Sequence, residues 1–129
     1  MVQKINLFDL FDKYLGKERK CGVVDCNLML LEYLGFDTTQ IEPFNNPLDG
    51  RRNLRKACNA KNMSEYLTNN GWSVIEPLRA YDGDIVIKGI HCGIIYNGMM
   101  FGVCSKTNTF QFLKLSLEQL QKLKIFRKQ

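Results

Sequence analysis

One cysteine and the single histidine stand in settings that suit nucleophilic catalysis. Cys26 lies in Asp25-Cys26-Asn27-Leu28, where a polar loop gives way to an apolar helical pattern. His91 follows one apolar strand pattern and begins a second. A helix N-terminus or a nearby imidazolium lowers the pKa of a thiol, and an imidazole can act as general base and acid. The two residues therefore predict a catalytic dyad for acyl transfer, with N–H groups at the helix start stabilising the oxyanion.

Each of the two residues also has a purely structural explanation. Free cysteine is among the most buried residue types, and a histidine at a strand end is often only a surface residue. A zinc site built from Cys21, Cys26, His91 and Cys92 ranks below catalysis, because the chain has no Cys-x-x-Cys knuckle. We predict neither a metal nor a cofactor. The five cysteines lack the spacing of a disulfide framework and are predicted to be reduced: Cys21, Cys26, Cys58, Cys92 and Cys104.

Composition and charge narrow the classes of partner. The chain has 129 residues, with 18 Lys and Arg against 13 Asp and Glu, a net charge of +5. This surplus favours acidic partners, but the basic residues are spread out and match no nucleic-acid-binding signature, so nucleic acid is not predicted. No stretch is long and apolar enough to predict a membrane span. Asp9 and Asp12 interrupt the apolar N-terminal stretch, which is not typical of a signal peptide. We expect cytoplasmic synthesis, with packaging into a virion as an alternative.

The first half of the chain is predicted to be helical. Apolar spacing predicts helices over residues 4–15 and 25–34, and one or two more over residues 51–69, broken near Asn59. Asp25 is placed to cap the second helix. The Pro- and Asn-rich stretch over residues 40–50 is predicted to be a loop that could border a cleft.

The second half is predicted to form a sheet. Asn97-Gly98 between two apolar runs predicts a tight hairpin, and Pro77 places its strand at an edge. Ser116 and Gln119 form a capping box that opens a final helix. The predicted class is α+β, one domain over residues 1–129, with N-terminal helices on an antiparallel sheet of about four to five strands and a C-terminal helix. The predicted strands are residues 72–78, 84–88, 91–96, 99–104 and 109–115.

The motifs around Cys26 and His91 resemble the NlpC-type cell-wall cysteine peptidases, a papain-like family. Members of that family read a tyrosine, a glycine-containing loop and Asp-Cys-Ser-Gly-Leu-Val, then a Gly-Asp-Leu-Val strand and His-Val-Gly-Ile. The resemblance covers roughly residues 12–105, in the same order. The corresponding segments here are Tyr14-Leu15-Gly16, Gly22-Val23-Val24, Asp25-Cys26-Asn27-Leu28, Gly83-Asp84-Ile85-Val86 and His91-Cys92-Gly93-Ile94.

This resemblance implies a fold, a substrate and roles for particular residues. The fold would be papain-like, Cys26 the nucleophile and His91 the base, with Tyr14, Asp25 and Asn27 contacting the substrate. The substrate would be a peptidoglycan stem peptide, cut between D-glutamate and the diamino acid. Short chains of this type also resemble lysis or tail proteins of bacterial viruses, so other tail or virion proteins are expected as partners.

The chain departs from the family pattern at two places. Asn27-Leu28 replaces the Ser-Gly that follows the nucleophile, and Val103 stands where the family has the polar residue that orients the histidine. A two-residue turn at Asn97-Gly98 would place Cys104 opposite His91, and a thiol is a poor orienting group.

Three hypotheses therefore remain open. The first is a peptidase in which His91 is oriented by Asn108 or Gln111, or works without a third residue; Asn108 is equally suited to a turn. The second is a non-catalytic virion or tail component on the same fold. The third is a peptidase of bacteriocin leaders, since Asp25-Cys26 precedes a leucine-rich helix that ends at Gly35.

Overall fold

A six-stranded antiparallel sheet organises residues 5–129, the part of the chain that this computed structural model describes. The order of strands across the sheet is β1-β6-β2-β3-β4-β5. The α+β class and the antiparallel pairing predicted from the sequence are confirmed. The strands are β1 (Trp72–Ile75), β2 (Ile85–Lys88), β3 (His91–Tyr96), β4 (Met99–Cys104), β5 (Thr109–Lys114) and β6 (Lys124–Lys128).

Within residues 5–129, five α-helices surround the sheet, and each begins after a polar residue whose side chain accepts an N–H bond from the first turn. The predicted first helix included residue 4, which lies outside the described residues. No helix within residues 5–129 combines the length and the apolar composition needed to cross a bilayer. The helices are α1 (Leu7–Tyr14), α2 (Cys26–Tyr33), α3 (Pro47–Cys58), α4 (Met63–Asn69) and α5 (Leu117–Gln121).

The helix α2 is buried on two sides, which fixes the position of its first residue. Met29 and Leu30 belong to the core between this helix and the sheet. Leu28 and Leu31 pack with apolar residues of α3 and α4 on the other side. A helix that is apolar all round is stable only when it is covered all round. The N-terminus of α2 is therefore held between the sheet and α3.

The hairpin of β3 and β4 follows the predicted turn. Tyr96 pairs with Met99, and the left-handed backbone of Asn97 and Gly98 suits a two-residue turn. The ladder between the two strands ends at the pair Ile94 and Phe101. The predicted pair of Cys104 and His91 would continue the same register, but it lies beyond the end of this ladder and stays a prediction. On the other side of each strand, Cys104 pairs with Thr109 of β5, and His91 pairs with Lys88 of β2.

The end of the chain differs from the predicted C-terminal helix. The capping box at Ser116 is present, but α5 ends at Gln121, and β6 then inserts between β1 and β2. The sheet accordingly has six strands rather than the predicted four to five. Ile125 and Phe126 are adjacent and both fully buried, one in each of the two cores that flank the sheet. A strand covered on both faces lacks the alternation that identifies a half-buried strand.

Smaller differences concern where elements begin and end. The helix α3 begins at Pro47, four residues before the predicted start at residue 51. It begins there because Asn46 caps it and proline suits the first helical position. The predicted break at Asn59 is confirmed, since this residue ends α3 in the left-handed conformation. The strand β1 lies at an edge as predicted but stops at Ile75, and Pro77 begins a 3₁₀ turn.

Candidate active site

Cys26 and His91 line the same cleft. This cleft has a volume of about 340 Å³ and lies between the start of α2, the turn from β2 to β3, and the helices α3 and α4. Its volume is at the lower end of the range of about 300–1,000 Å³ that is usual for small-ligand pockets. Its apolar lining includes Phe44, Leu54, Met63 and Tyr66.

Asp25 fixes the loop that leads into the cleft. One carboxylate oxygen accepts a hydrogen bond from Leu28 N at 2.8 Å, and the other accepts one from Gly22 N at 2.9 Å. Gly22 has a φ of +79°, and a Cβ there would lie 1.8 Å from the carbonyl oxygen of Phe44, so only glycine fits. The predicted capping role of Asp25 is confirmed. Its other predicted role, contact with the substrate, stays a prediction. Both of its oxygens already accept main-chain hydrogen bonds.

The polar partner of Cys26 across the site is Cys92, which the sequence did not indicate. The Cys92 thiol donates to the carbonyl oxygen of Cys26 at 3.0 Å, and its sulfur lies 3.7 Å from Asn27 Oδ1. Hydrogen bonding from the Cys92 thiol is the largest cause that lowers the pKa of Cys26 below its ordinary value. Burial opposes this, while the Cys92 backbone N–H and the positive charge of Arg19 add to it.

The Cys92 thiol carries a single proton, so it cannot serve every acceptor at once. With Cys26 in its thiol form, the proton serves the Cys26 carbonyl. When Cys26 ionises, its sulfur becomes the stronger acceptor, because hydrogen bonds to a charged group are the stronger ones. Donation to Cys26 and burial together raise the pKa of Cys92 well above its usual range. Of this pair, Cys26 is therefore the residue that forms the thiolate.

The other described thiols differ from Cys26 either in the direction of their pKa shift or in their position. Cys21 and Cys58 also line the cleft, but burial raises the pKa of both, that of Cys58 to about 11. The pKa of Cys104 is lowered by bonds from Thr107 and Lys106, at the turn from β4 to β5. Cys104 does not line the cleft, so Cys26 is the one cleft thiol, among the described residues, with a lowered pKa.

His91 reaches the cleft as an exposed side chain at the start of β3, beside Gly89 and Ile90. Side chains alternate along a strand, so His91 and Cys92 leave the sheet in opposite directions. Its imidazole has no hydrogen-bond partner within residues 5–129. The structure thus brings Cys26 and His91 to one cleft, but the hydrogen bond that the dyad requires is not formed in this arrangement.

Two of the predicted substrate contacts occupy different environments. Asn27 lines the cleft, and its amide donates to the carbonyl oxygen of Ile90 at 3.4 Å, which ties α2 to the turn before β3. Tyr14 is buried against Phe110 and donates to Glu32, and it is not part of the cleft lining. Burial raises the pKa of Tyr14 above its ordinary value.

The proposed orienting residues lie on the hairpin of β4 and β5. Asn108 has a φ of +56°, and its carbonyl oxygen accepts a bond from Arg19 N at 2.7 Å, as expected of a turn residue. Gln111 donates to the hydroxyl of Thr109 at 3.0 Å. Neither side chain has a hydrogen bond to His91 among the described residues.

Removing the Cys92 thiol tests its effect on Cys26. We expect Cys92→Ala to raise the pKa of Cys26, since the largest lowering cause is lost while burial continues to raise it. The midpoint of the rate of Cys26 alkylation against pH should then move to higher pH. Cys92→Ser retains an O–H donor and serves as the matched control, with a midpoint close to the original. An unchanged midpoint in Cys92→Ala would contradict the assigned role.

The site therefore offers a thiol with a lowered pKa and a histidine that shares its cleft. Two arginines of α3, Arg51 and Arg55, also line the cleft, which was not predicted from the sequence. Within residues 5–129, no three His, Cys, Asp or Glu side chains converge in a way that could hold a metal ion. Comparison of the chain with models of protein families, with curated proteins and with solved structures found no match.

Proposed function

We propose that the protein is a thiol hydrolase in which Cys26 is the nucleophile and His91 the general base and acid. The observation that carries this proposal is that Cys26, alone among the described thiols of the cleft, has a lowered pKa and shares that cleft with the single histidine. The resemblance to the NlpC-type peptidases supplies the substrate, a peptidoglycan stem peptide cut between D-glutamate and the diamino acid. The same resemblance supplies the proposed papain-like fold.

In the proposed reaction, His91 takes the proton of the Cys26 thiol, and the resulting thiolate attacks the carbonyl carbon of the scissile amide to form a tetrahedral intermediate. The N–H groups of Cys26 and Asn27, the first two of α2, have no acceptor within the helix and are available to the oxyanion, whereas that of Leu28 donates to Asp25. As the carbon–nitrogen bond breaks, the imidazolium of His91 gives a proton to the departing amine and leaves a thioester on Cys26. His91 then takes a proton from water, whose oxygen attacks the thioester; the acid is released, and the departing Cys26 sulfur recovers its proton from His91.

This mechanism requires His91 to move toward Cys26 when substrate is bound. Because His91 leaves the sheet on the side opposite to Cys92, which contacts Cys26, the movement includes the turn before β3 as well as the ring. The ring is exposed and makes no hydrogen bond with the described residues, so its movement breaks no existing side-chain hydrogen bond. Catalytic hydrogen bonds are often loose in enzymes without substrate and tighten in the complex. This movement of His91 is therefore part of the proposal.

A second candidate is a non-catalytic virion or tail component on the same fold. The bond of Cys92 to Cys26, together with the lack of a hydrogen bond from Cys26 to His91, favours it. In that case the cleft would bind a partner without cleaving it.

Chemical modification of Cys26 separates the two candidates. In a Cys104→Ala background, which removes the other thiol of lowered pKa, we expect iodoacetamide to stop stem-peptide cleavage at the rate at which it modifies Cys26. Peptide mapping by mass spectrometry follows the modification, and chromatography follows the cleavage. Cleavage that continues after complete modification of Cys26 would sink the hydrolase proposal. Absence of cleavage by the unmodified protein would favour the non-catalytic role.

A further inference from the structure

The walls of the cleft carry more positive than negative side chains. Asp25 is the single carboxylate in the cleft lining of the described residues, and both of its oxygens already accept main-chain N–H bonds. Like charges placed around one concave surface raise its electrostatic potential and concentrate anions there. The cationic side chains of the lining are Arg19, Arg51, Arg55 and Lys61.

The arrangement on α3 is the clearest part of this surplus. Arg51 and Arg55 lie one helical turn apart and both line the cleft. Like charges at this spacing destabilise a helix. Arg55 Nε donates to the carbonyl oxygen of Lys61 at 2.8 Å, but neither arginine has a carboxylate partner within residues 5–129. By contrast Lys56, outside the cleft lining, lies 3.6 Å from Glu42 Oε1.

We propose that Arg51 and Arg55 form a subsite for a carboxylate of the substrate, which they hold on the α3 wall while the scissile carbonyl lies at Cys26. The planar guanidinium binds a carboxylate through two parallel hydrogen bonds, which orients the ligand as well as attracting it. The nearby apolar side chains of Phe44, Leu54 and Met63 suit the carbon chain of a peptide. The inference deepens the proposed function, because it takes Cys26 as the reacting group.

A pair of alkylating agents of nearly equal size measures this subsite without a substrate. Iodoacetate carries a carboxylate and iodoacetamide is neutral, and both modify a thiolate by displacement of iodide. In the Cys104→Ala background, we expect the iodoacetate-to-iodoacetamide rate ratio at Cys26 to exceed the same ratio for free N-acetylcysteine. Arg51→Gln and Arg55→Gln should each lower the ratio at Cys26 about three- to fivefold, the size of a partly screened charge interaction. The iodoacetamide rate alone should stay unchanged.

Arg52→Gln is the matched control, since it makes the same charge change on the same helix at a residue outside the cleft lining. It should leave the iodoacetate-to-iodoacetamide rate ratio at Cys26 close to that of the protein that retains all three arginines. Raising the salt from about 20 mM to about 500 mM should reduce the ratio, because the screening length falls to a few ångströms. Equal effects of Arg51→Gln and Arg52→Gln would reduce the proposal to a general charge effect and overturn it.

The two proposals fail in different ways. If the hydrolase proposal is wrong but the subsite exists, the preference for iodoacetate depends on Arg51 and Arg55 while no stem peptide is cleaved. If the subsite is wrong but the protein is a hydrolase, cleavage occurs and the ratio is the same in all three variants. For a cleaving protein, amidating the substrate carboxylate gives a second measurement: KM should rise, and it should do so less in Arg55→Gln. An equal rise in KM with and without Arg55 would also overturn the subsite.

Discussion

Cys26→Ala is expected to reduce stem-peptide cleavage by about 10⁴-fold or more, since removal of the nucleophile leaves no route to the thioester. Cys58→Ala is the matched control, because Cys58 lines the same cleft but its pKa is raised to about 11 by burial. This control should retain cleavage within about twofold, the range of substitutions away from the reacting groups. Initial rates of product formation at neutral pH measure both variants, with circular dichroism to establish that each is folded.

His91→Gln gives the complementary result. Loss of a general acid and base lowers an acyl-transfer rate by about 10²–10⁴-fold. An amide needs a proton on its departing nitrogen, whereas a p-nitrophenyl ester releases a stable anion. We therefore expect His91→Gln to impair amide cleavage far more than ester cleavage. Alkylation of Cys26 by iodoacetamide should continue in this variant, because Cys92, rather than His91, is the main cause of its lowered pKa.

Three results would contradict this mechanism. The first is full amide cleavage by His91→Gln, which would exclude a histidine-assisted step. The second is equal loss of activity in Cys26→Ala and Cys58→Ala, which would indicate that both act through the shape of the cleft. Amide and ester cleavage reduced by the same factor in His91→Gln would assign His91 to substrate binding instead of proton transfer.

The parts of the fold that were predictable from the sequence are those set by local signals. Asn97-Gly98 gave the correct hairpin, the Ser116 box gave the start of α5, and Asp25 gave the start of α2. The strand β6 was missed because its neighbours are remote in the chain: Ile125 pairs with Ile75 and with Val86. Nothing in the sequence of the last residues indicates that they pair between two strands that lie far away in the chain.

The sequence predicted which residues line the site better than it predicted how they are arranged. Helix capping and strand order were enough to suggest that Cys26 and His91 would share a cleft. These signals did not determine which residue of β3 would face α2. The apolar run through Ile94 and Ile95 is buried on both faces of the sheet, so its pattern does not show which side chains point to which face. Neighbouring residues of a strand point to opposite faces, so a difference of one position decides which of them contacts α2. Here Cys92, rather than His91, is the partner of Cys26.

The position of β6 makes a strong prediction about stability. Phe126 is 1% exposed and pairs with both β1 and β2, so Phe126→Ala leaves a cavity in the core under α1 and α2. Truncation of a buried phenylalanine costs about 3–5 kcal/mol of the free energy of unfolding. Since a native domain has only about 5–15 kcal/mol in total, this is a large share. Urea denaturation followed by circular dichroism measures the change.

Phe8→Ala provides the matched control for this measurement. Phe8 lies on α1 with 64% of its surface exposed, so the same truncation removes little buried area. We expect a loss below about 1 kcal/mol, limited to its edge contact with the Tyr96 ring. If the C-terminal segment were a surface helix with Phe126 exposed, the two substitutions would have similar effects. A loss of several kcal/mol in Phe126→Ala alone therefore distinguishes a central strand from the helix that the sequence predicted.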